Sequence, residues 1–303
     1  MNLDGKVALV TGASGLVGST VVRRLVAEGM DVRGLMRRPA DLGEGVTVCL
    51  GDVRDSAAVG SAVRDAALIV HCAAVLRRAT REEAFAVNVE GTDVVLRAAS
   101  QANCERFIHI STTSVHDLEG RDVVDEATPF VRAEDAYGES KAAAERAVWA
   151  AAARSLPVTV LRPSAILGAH ASCTWTVGMP KQIAAGEFSL HGDGNYALPY
   201  VHVRNLADAV VLAARSDRAV GQAYIVVDDH TTWREITDLY RGWLGLPALP
   251  SVPPATVPPA YRWHGRWSGE KIRHELGYEP HVTWQAAMAE VKRYLVEAGV
   301  VKS

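Results

Sequence analysis

At 303 residues the chain is longer than a usual single domain, and with 49% hydrophobic and 22% charged residues it can bury a sizeable core, which excludes a disordered or fibrous protein. The formal net charge is -3, and the arginine pairs Arg23-Arg24, Arg37-Arg38 and Arg77-Arg78 are scattered, so no nucleic-acid partner is expected. No run of about 18 apolar residues occurs, which predicts no membrane span. The first strand is expected to begin by about Lys6, too early for a leader, and Cys49, Cys72, Cys104 and Cys173 lack the spacing of metal ligands. These features predict a cytoplasmic protein without a metal site.

In chain order, β-branched runs alternate with helical patterns: strand 7–11, helix 16–28, strands 32–36 and 47–50, helix 57–63, strand 68–72, helix 83–101, strand 106–111, helix 136–153 and strand 158–162. That alternation predicts an α/β protein on a Rossmann-type, doubly wound parallel sheet. Beyond Pro163 the rhythm breaks, yet a strand at 200–203, a helix from Asn205 and a strand at 223–227 are expected to rejoin the sheet. The expected division is a nucleotide-binding domain over 1–163, with 199–230 returning to it, and a smaller, interleaved C-terminal substrate lobe over 164–198 and 231–303. A proline-rich stretch from Leu246 to Pro259 reads as an extended connection ahead of helices near 268–276 and 283–298.

The first strand runs into Thr11-Gly12-Ala13-Ser14-Gly15-Leu16-Val17-Gly18, and a helix follows at once. Glycines at every third position let backbone approach a pyrophosphate, and the amides at the positive end of the helix would bind it. Gly12, Ser14, Gly15, Leu16, Val17 and Gly18 are therefore candidate cofactor contacts. At the end of the second strand an acidic residue would hydrogen-bond the ribose 2′-hydroxyl of NAD. Met36-Arg37-Arg38 stands there instead. Guanidinium suits a phosphate, so Arg37, helped by Arg38, points to NADP(H), with NAD(H) as the alternative and a solvated arginine pair as the plain reading. Asp52, followed by Val53, lies after the third strand, where it would meet an adenine amino group or cap the next helix.

Tyr137 and Lys141, in Tyr137-Gly138-Glu139-Ser140-Lys141, fall one helical turn apart on a shared face. Free tyrosine has a pKa of about 10, and a neighbouring ammonium favours its ionised form, so the phenol becomes a tuned acid for hydride-transfer chemistry. Alone, this spacing arises by chance on any solvated helix. It is accompanied by the glycine loop, Asp52, His71-Cys72-Ala73-Ala74, Asn88-Val89-Glu90-Gly91-Thr92, Ser111-Thr112, Leu161-Arg162-Pro163 and Tyr200-Val201-His202-Val203. With these in place the chain resembles, over nearly its whole length, the extended short-chain dehydrogenase/reductases of the NAD-dependent epimerase/dehydratase family. The resemblance implies that Tyr137 is the acid/base and that Lys141 lowers its pKa and holds the nicotinamide ribose. It implies that Thr112, 25 residues ahead of Tyr137 (137 − 112), orients the substrate oxygen, and that Asn88 props a proton-relay water. Ala73, Ala74 and Pro163 would border the cofactor, and a homodimer would form through the helices holding Asn88 and Tyr137.

Relatives that dehydrate nucleotide sugars carry Asp-Glu after the catalytic hydroxyl, whereas Thr113-Ser114 stand here. Epimerases of nucleotide sugars place an arginine and an asparagine where this chain has Leu198 and Ala165, so a diphosphate would lack its clamp. The segment Gly221-Gln222-Ala223-Tyr224-Ile225-Val226-Val227, with Trp233 opening the next helix, is similar to the hydroxysteroid-dehydrogenase and dihydroflavonol-reductase branch. Trp175, Trp263 and Trp267, the last two at helical spacing, would wall an apolar pocket or sit in the core. Ser114 and His116 are candidate substrate contacts, and Arg77, Arg78 and Arg81 would meet a substrate carboxylate or begin a solvated helix. The expected function is NADP-dependent interconversion of a ketone and a secondary alcohol on a small or medium-sized organic molecule. A nucleotide-sugar epimerase or ketoreductase is the first alternative. A cofactor-sensing regulatory protein is the second, and the intact Thr112, Tyr137 and Lys141 count against it.

Overall fold

The β-branched runs of the first half become strands, and the helices between them cover both faces of one sheet. In the computed structural model, which describes residues 1–76, 79–130, 135–256 and 263–302, the chain passes through β1 (Val7–Thr11), α1 (Leu16–Ala27), β2 (Asp31–Met36), β3 (Val46–Leu50), α2 (Ser56–Ala62) and β4 (Ala66–His71). It continues with α3 (Arg81–Phe85), α4 (Gly91–Gln101), β5 (Arg106–Ile110), β6 (Val123–Val124), α5 (Ala136–Ala152) and β7 (Val158–Pro163). Then follow β8 (Ala165–Leu167), α6 (Met179–Ala184), β9 (Leu190–His191), β10 (Ala197–His202), α7 (Val203–Arg215), β11 (Gln222–Val226), β12 (Asp229–Thr232) and α8 (Trp233–Leu244). The described chain ends with β13 (Ser251–Val252), β14 (Arg266–Trp267), α9 (Glu270–Leu276) and α10 (Trp284–Glu297).

The main sheet has seven parallel strands in the order β11-β7-β5-β4-β1-β2-β3. Successive side chains point to opposite faces. Ala8, Val10, Val70 and Ile108 therefore meet α1 and α7, while Leu9, Ile69, Phe107 and Val160 meet α2, α4 and α5. Each of these side chains larger than alanine contributes about 1.5–3 kcal/mol on burial, so the two-sided sheet is a firm platform for the loops at its C-terminal edge. A third core of Tyr196, Leu198, Trp233, Ile236, Tyr240 and Val291 holds the C-terminal lobe together.

Two expectations are corrected here. The strand expected at 200–203 does not rejoin the main sheet: β10 pairs with β8 and β12 in a separate three-stranded sheet. The chain leaving β7 splits off as β8 and takes β10 with it, which frees the β7 edge for β11. The helix from Asn205 is α7, and it packs beside α1 on the same face of the sheet. The helical spacing of Trp263 and Trp267 is also misleading, because Trp267 lies in β14, which pairs with β6, and the two rings meet edge to face at 4.2 Å. The proline-rich connection is extended only in part: it forms β13, paired to β9, and then a 3₁₀ turn over Pro254–Thr256, while Val257, Pro258 and Pro259 lie outside the described residues. Among the described residues no helix is long and apolar enough to cross a membrane, and no group of His, Cys, Asp and Glu could hold a metal ion.

Candidate functional site

After β1 the chain turns through Gly12 at φ +66, where a Cβ would come within 2.8 Å of Ala73 Cα. Gly18 is pressed against that turn, since a Cβ on it would stand 2.2 Å from Gly12 O. No side chain fits at either place. Gly15, at the N-cap of α1, makes no side-chain cap, so the first amides of the helix are left for an anion. Gly12, Ser14, Gly15, Leu16, Val17 and Gly18 line one end of a continuous cleft of about 2770 Å³. This backbone cradle fits the pyrophosphate of a dinucleotide.

Behind the cradle, the parallel register sets Thr11, His71 and His109 abreast on β1, β4 and β5. Thr92 Oγ1 donates to Asn88 O at 2.6 Å, so it accepts from His71 Nε2 at 2.9 Å. His71 Nδ1 then accepts from Thr11 Oγ1 at 2.8 Å, and that oxygen accepts from Ala73 N at 3.2 Å. Only a neutral His71 satisfies this chain. Burial, assisted by the charge of Lys141, pushes its pKa down to about 3. The result is a fixed seat for Ala73, which with Ala74 and Pro163 lines the cleft.

At the end of β2, Arg37 and Arg38 are exposed and line the same cleft. Asp52, beside Val53, does not cap α2; Asp55 does, accepting from Ala57 N at 2.9 Å and Ala58 N at 3.2 Å. Both oxygens of Asp52 are held by Arg54, with Nε at 2.8 Å and Nη2 at 2.9 Å. This pairing holds the carboxyl down to about 2, with Arg37 adding to it. This end of the cleft is thus lined by Arg37, Arg38 and the already paired carboxylate of Asp52.

Asp135 caps α5 by accepting from Gly138 N at 2.7 Å, which sets Tyr137 in the first turn and Lys141 one turn deeper. Tyr137 lines the cleft, while Lys141 is 3% exposed behind it. Lys141 Nζ donates to Ile110 O at 2.7 Å and stands 3.4 Å from His109 Nε2. Burial lowers its pKa to about 8, against the opposing pull of Glu145 and Cys72. Thr112, just past β5, accepts from Ser114 N at 3.2 Å, so its hydroxyl hydrogen remains to be donated. Thr112 and Ser114 both line the cleft.

Asn88 sits in a π-helical turn, Ala86–Glu90, between α3 and α4. Its Oδ1 accepts from Val75 N at 2.8 Å, and its Nδ2 donates to Val75 O at 3.1 Å and Ser140 Oγ at 2.9 Å. The amide ties the loop after β4 to α5, so its side chain is already committed. Arg81 pairs with Glu139 of α5, which takes it away from a substrate carboxylate; Arg77 and Arg78 lie outside the described residues.

Sequence reasoning gave no role to the buried pair that frames the loop after β5. Glu145, fully buried on α5, accepts from Arg162 Nη2 at 2.6 Å and Nε at 3.1 Å, from Ser111 Oγ at 2.6 Å and from Trp149 Nε1 at 3.1 Å. Arg162 Nη1 also donates to Glu126 O at 3.1 Å and lies 3.2 Å from His116 Nε2. His116 Nδ1 stands 3.0 Å from Thr128 O, so Nδ1 donates there and Nε2 accepts from Arg162. Burial, then the Arg162 charge, hold His116 neutral with a pKa pushed down to about 4. His116 borders the cleft, but both ring nitrogens are engaged. An arginine inside an apolar strand and a glutamate four residues after Lys141 were the available signals.

The far arm of the cleft is lined by Trp175, Trp233, Phe188, Leu198, Trp263 and Trp267. Trp175 and Trp233 lie 5.7 Å apart, and Phe188 stacks on Trp233 at 6.4 Å. Among the described residues of this arm Lys181 is the one lysine or arginine, and Leu198 and Ala165 both face the cleft.

A family model described as the NAD dependent epimerase/dehydratase family matches residues 8–227. The chain is 30% identical to a 3-beta-hydroxysteroid dehydrogenase of Mycolicibacterium neoaurum, covering 95% of this chain and 91% of the relative. It is 29% identical to the sterol demethylase protein B of Methylococcus capsulatus, covering 97% and 99%. A dTDP-glucose 4,6-dehydratase of Streptomyces venezuelae, solved with NAD bound, shares its fold at a TM-score of 0.84 and 24% identity, covering 98% of this chain and 99% of that one.

Proposed function

The chain belongs to the NAD dependent epimerase/dehydratase family, and on that premise we propose that it is an NADP-dependent oxidoreductase interconverting a ketone and a secondary alcohol on an apolar, small or medium-sized organic molecule. The observation that carries this reading is the far arm of the cleft, where aromatic walls and the apolar Leu198 and Ala165 stand in place of a diphosphate clamp. A nucleotide diphosphate there would leave charged oxygens without bidentate partners. The sterol-related names of two relatives support an apolar substrate.

When bound, the nicotinamide supplies or receives the hydride. Tyr137 gives or takes the proton of the reacting oxygen, and Thr112 donates its free hydroxyl hydrogen to that oxygen, where negative charge grows. Lys141 favours the phenolate of Tyr137 and holds the ribose. The buried Glu145–Arg162 pair holds Ser111 and His116 on either side of Thr112. A homodimer through the helical segments that hold Asn88 and Tyr137, and the four free cysteines of a reducing cytoplasm, belong to the same reading.

Arg37 and Arg38 favour a 2′-phosphate. Charge-assisted hydrogen bonds are worth about 1.5–3 kcal/mol each, so Arg37→Glu is expected to weaken NADP binding by roughly 10–100-fold and to place NAD ahead of it in fluorescence titrations. Equal affinity of the starting protein for the two cofactors would sink the 2′-phosphate assignment. The substrate reading is tested by absorbance at catalytic protein concentration over ketones, secondary alcohols and nucleotide sugars.

A further inference from the structure

An ammonium has three N–H donors and no acceptor. In Lys141 one is taken by Ile110 O at 2.7 Å, and His109 Nε2 stands 3.4 Å from Nζ. Both partners come from β5, which lies between β4 and β7 in fixed register. We propose that His109 is a positioning residue for Lys141: it accepts a second ammonium N–H, so that β5 grips the cation from two sides and the third donor is left for the reacting end of the cleft. This rests on the functional reading above and adds a group outside the Tyr137, Lys141 and Thr112 set.

The geometry separates this role from two others. A proton relay through His109 has no exit, because its buried Nδ1 has no partner among the described residues. The ring stacked on it at 5.5 Å, His71, has both nitrogens engaged by Thr11 and Thr92. Simple packing does not account for it either, since an apolar ring would fill the same space without stranding a nitrogen. Besides Tyr137, one turn earlier on the same helix, the groups facing Lys141 are His109 from β5, His71 from β4, Cys72 just beyond β4 and Glu145 from its own helix. His71 is neutral, and burial pushes the Cys72 thiol up to about 12. Glu145 is neutralised by Arg162 at 2.6 Å. Of these, His109 is the side chain that reaches Nζ within hydrogen-bond distance.

The test reads Lys141 directly. In cofactor-free protein carrying 13C-lysine, the Lys141 Cε resonance, assigned by its loss in Lys141→Arg, is expected to titrate near 8. His109→Phe keeps the stacked ring and removes the acceptor, so the midpoint is expected to fall by about one pH unit. His109→Gln, whose Oε1 reaches the place of Nε2, is expected to bring it back toward the starting value. His109→Leu repeats the measurement if the phenylalanine does not fold. The alkaline limb of NADPH binding, followed by cofactor fluorescence, is expected to move with the midpoint. An unmoved midpoint in a folded apolar variant, or the same shift in His109→Gln, overturns the proposal. The expected midpoints in a protein that binds no nicotinamide cofactor would uphold the grip on Lys141 and overturn the functional reading alone.

Discussion

Tyr137→Phe is expected to lower turnover by about 10²–10⁴-fold while leaving the affinity for NADPH near its starting value. The phenol is the one group of the set that both lines the cleft and stands a helical turn from a buried lysine. Thr112 cannot replace it, because an aliphatic hydroxyl is a far weaker acid than a phenol beside a lysine and can only donate a hydrogen bond. The change removes one oxygen and leaves the α5 backbone, its Asp135 cap and the Arg81–Glu139 brace intact. In the proposed function, cofactor binding is assigned to the glycine cradle and the arginines at the end of β2, which the change does not touch. Steady-state rates and fluorescence titrations on the same preparation separate the two effects. Undiminished turnover would remove Tyr137 from the mechanism.

Glu145→Ala is expected to cost about 3–5 kcal/mol of stability. The substitution strands the guanidinium of Arg162, which is 4% exposed, and leaves Ser111 Oγ and Trp149 Nε1 without their acceptor. Domains have only about 5–15 kcal/mol in total, so the loss is a large share. Glu145→Gln keeps an acceptor oxygen and is expected to lose less. Urea unfolding of the two variants beside the starting protein measures the difference. A loss under about 1 kcal/mol in Glu145→Ala would show that the pair contributes little and that Arg162 finds another partner.

What was legible in the sequence was what depends on local spacing. Glycines 12, 15 and 18 behind a strand, and Tyr137 a turn from Lys141, carry their geometry in their separation. The alternation of strand and helix likewise foretold a parallel, doubly wound sheet, though with 200–203 wrongly included in it. Other features depend on tertiary competition. Which edge β10 takes is settled by β8, three residues long, whose pairing no periodicity announces. Asp52 and Asp55 are both acidic residues ahead of α2, and only the backbone path shows that the second makes the cap. Trp263 and Trp267 copy a helical interval while lying on extended chain. The roles of His71, His109, Glu145 and Arg162 come from cross-strand register and complete burial, neither of which a linear pattern contains.

Net oxidation or reduction of a substrate at this cleft is read from the stoichiometry of cofactor consumption. An epimerase or dehydratase uses its nicotinamide transiently and returns it unchanged, whereas a ketoreductase converts one NADPH for each ketone reduced. With apolar ketones and the protein at catalytic concentration, NADPH absorbance is expected to fall by one equivalent per alcohol formed over many turnovers. Robust conversion confined to nucleotide sugars, with no net change in cofactor, would contradict the account.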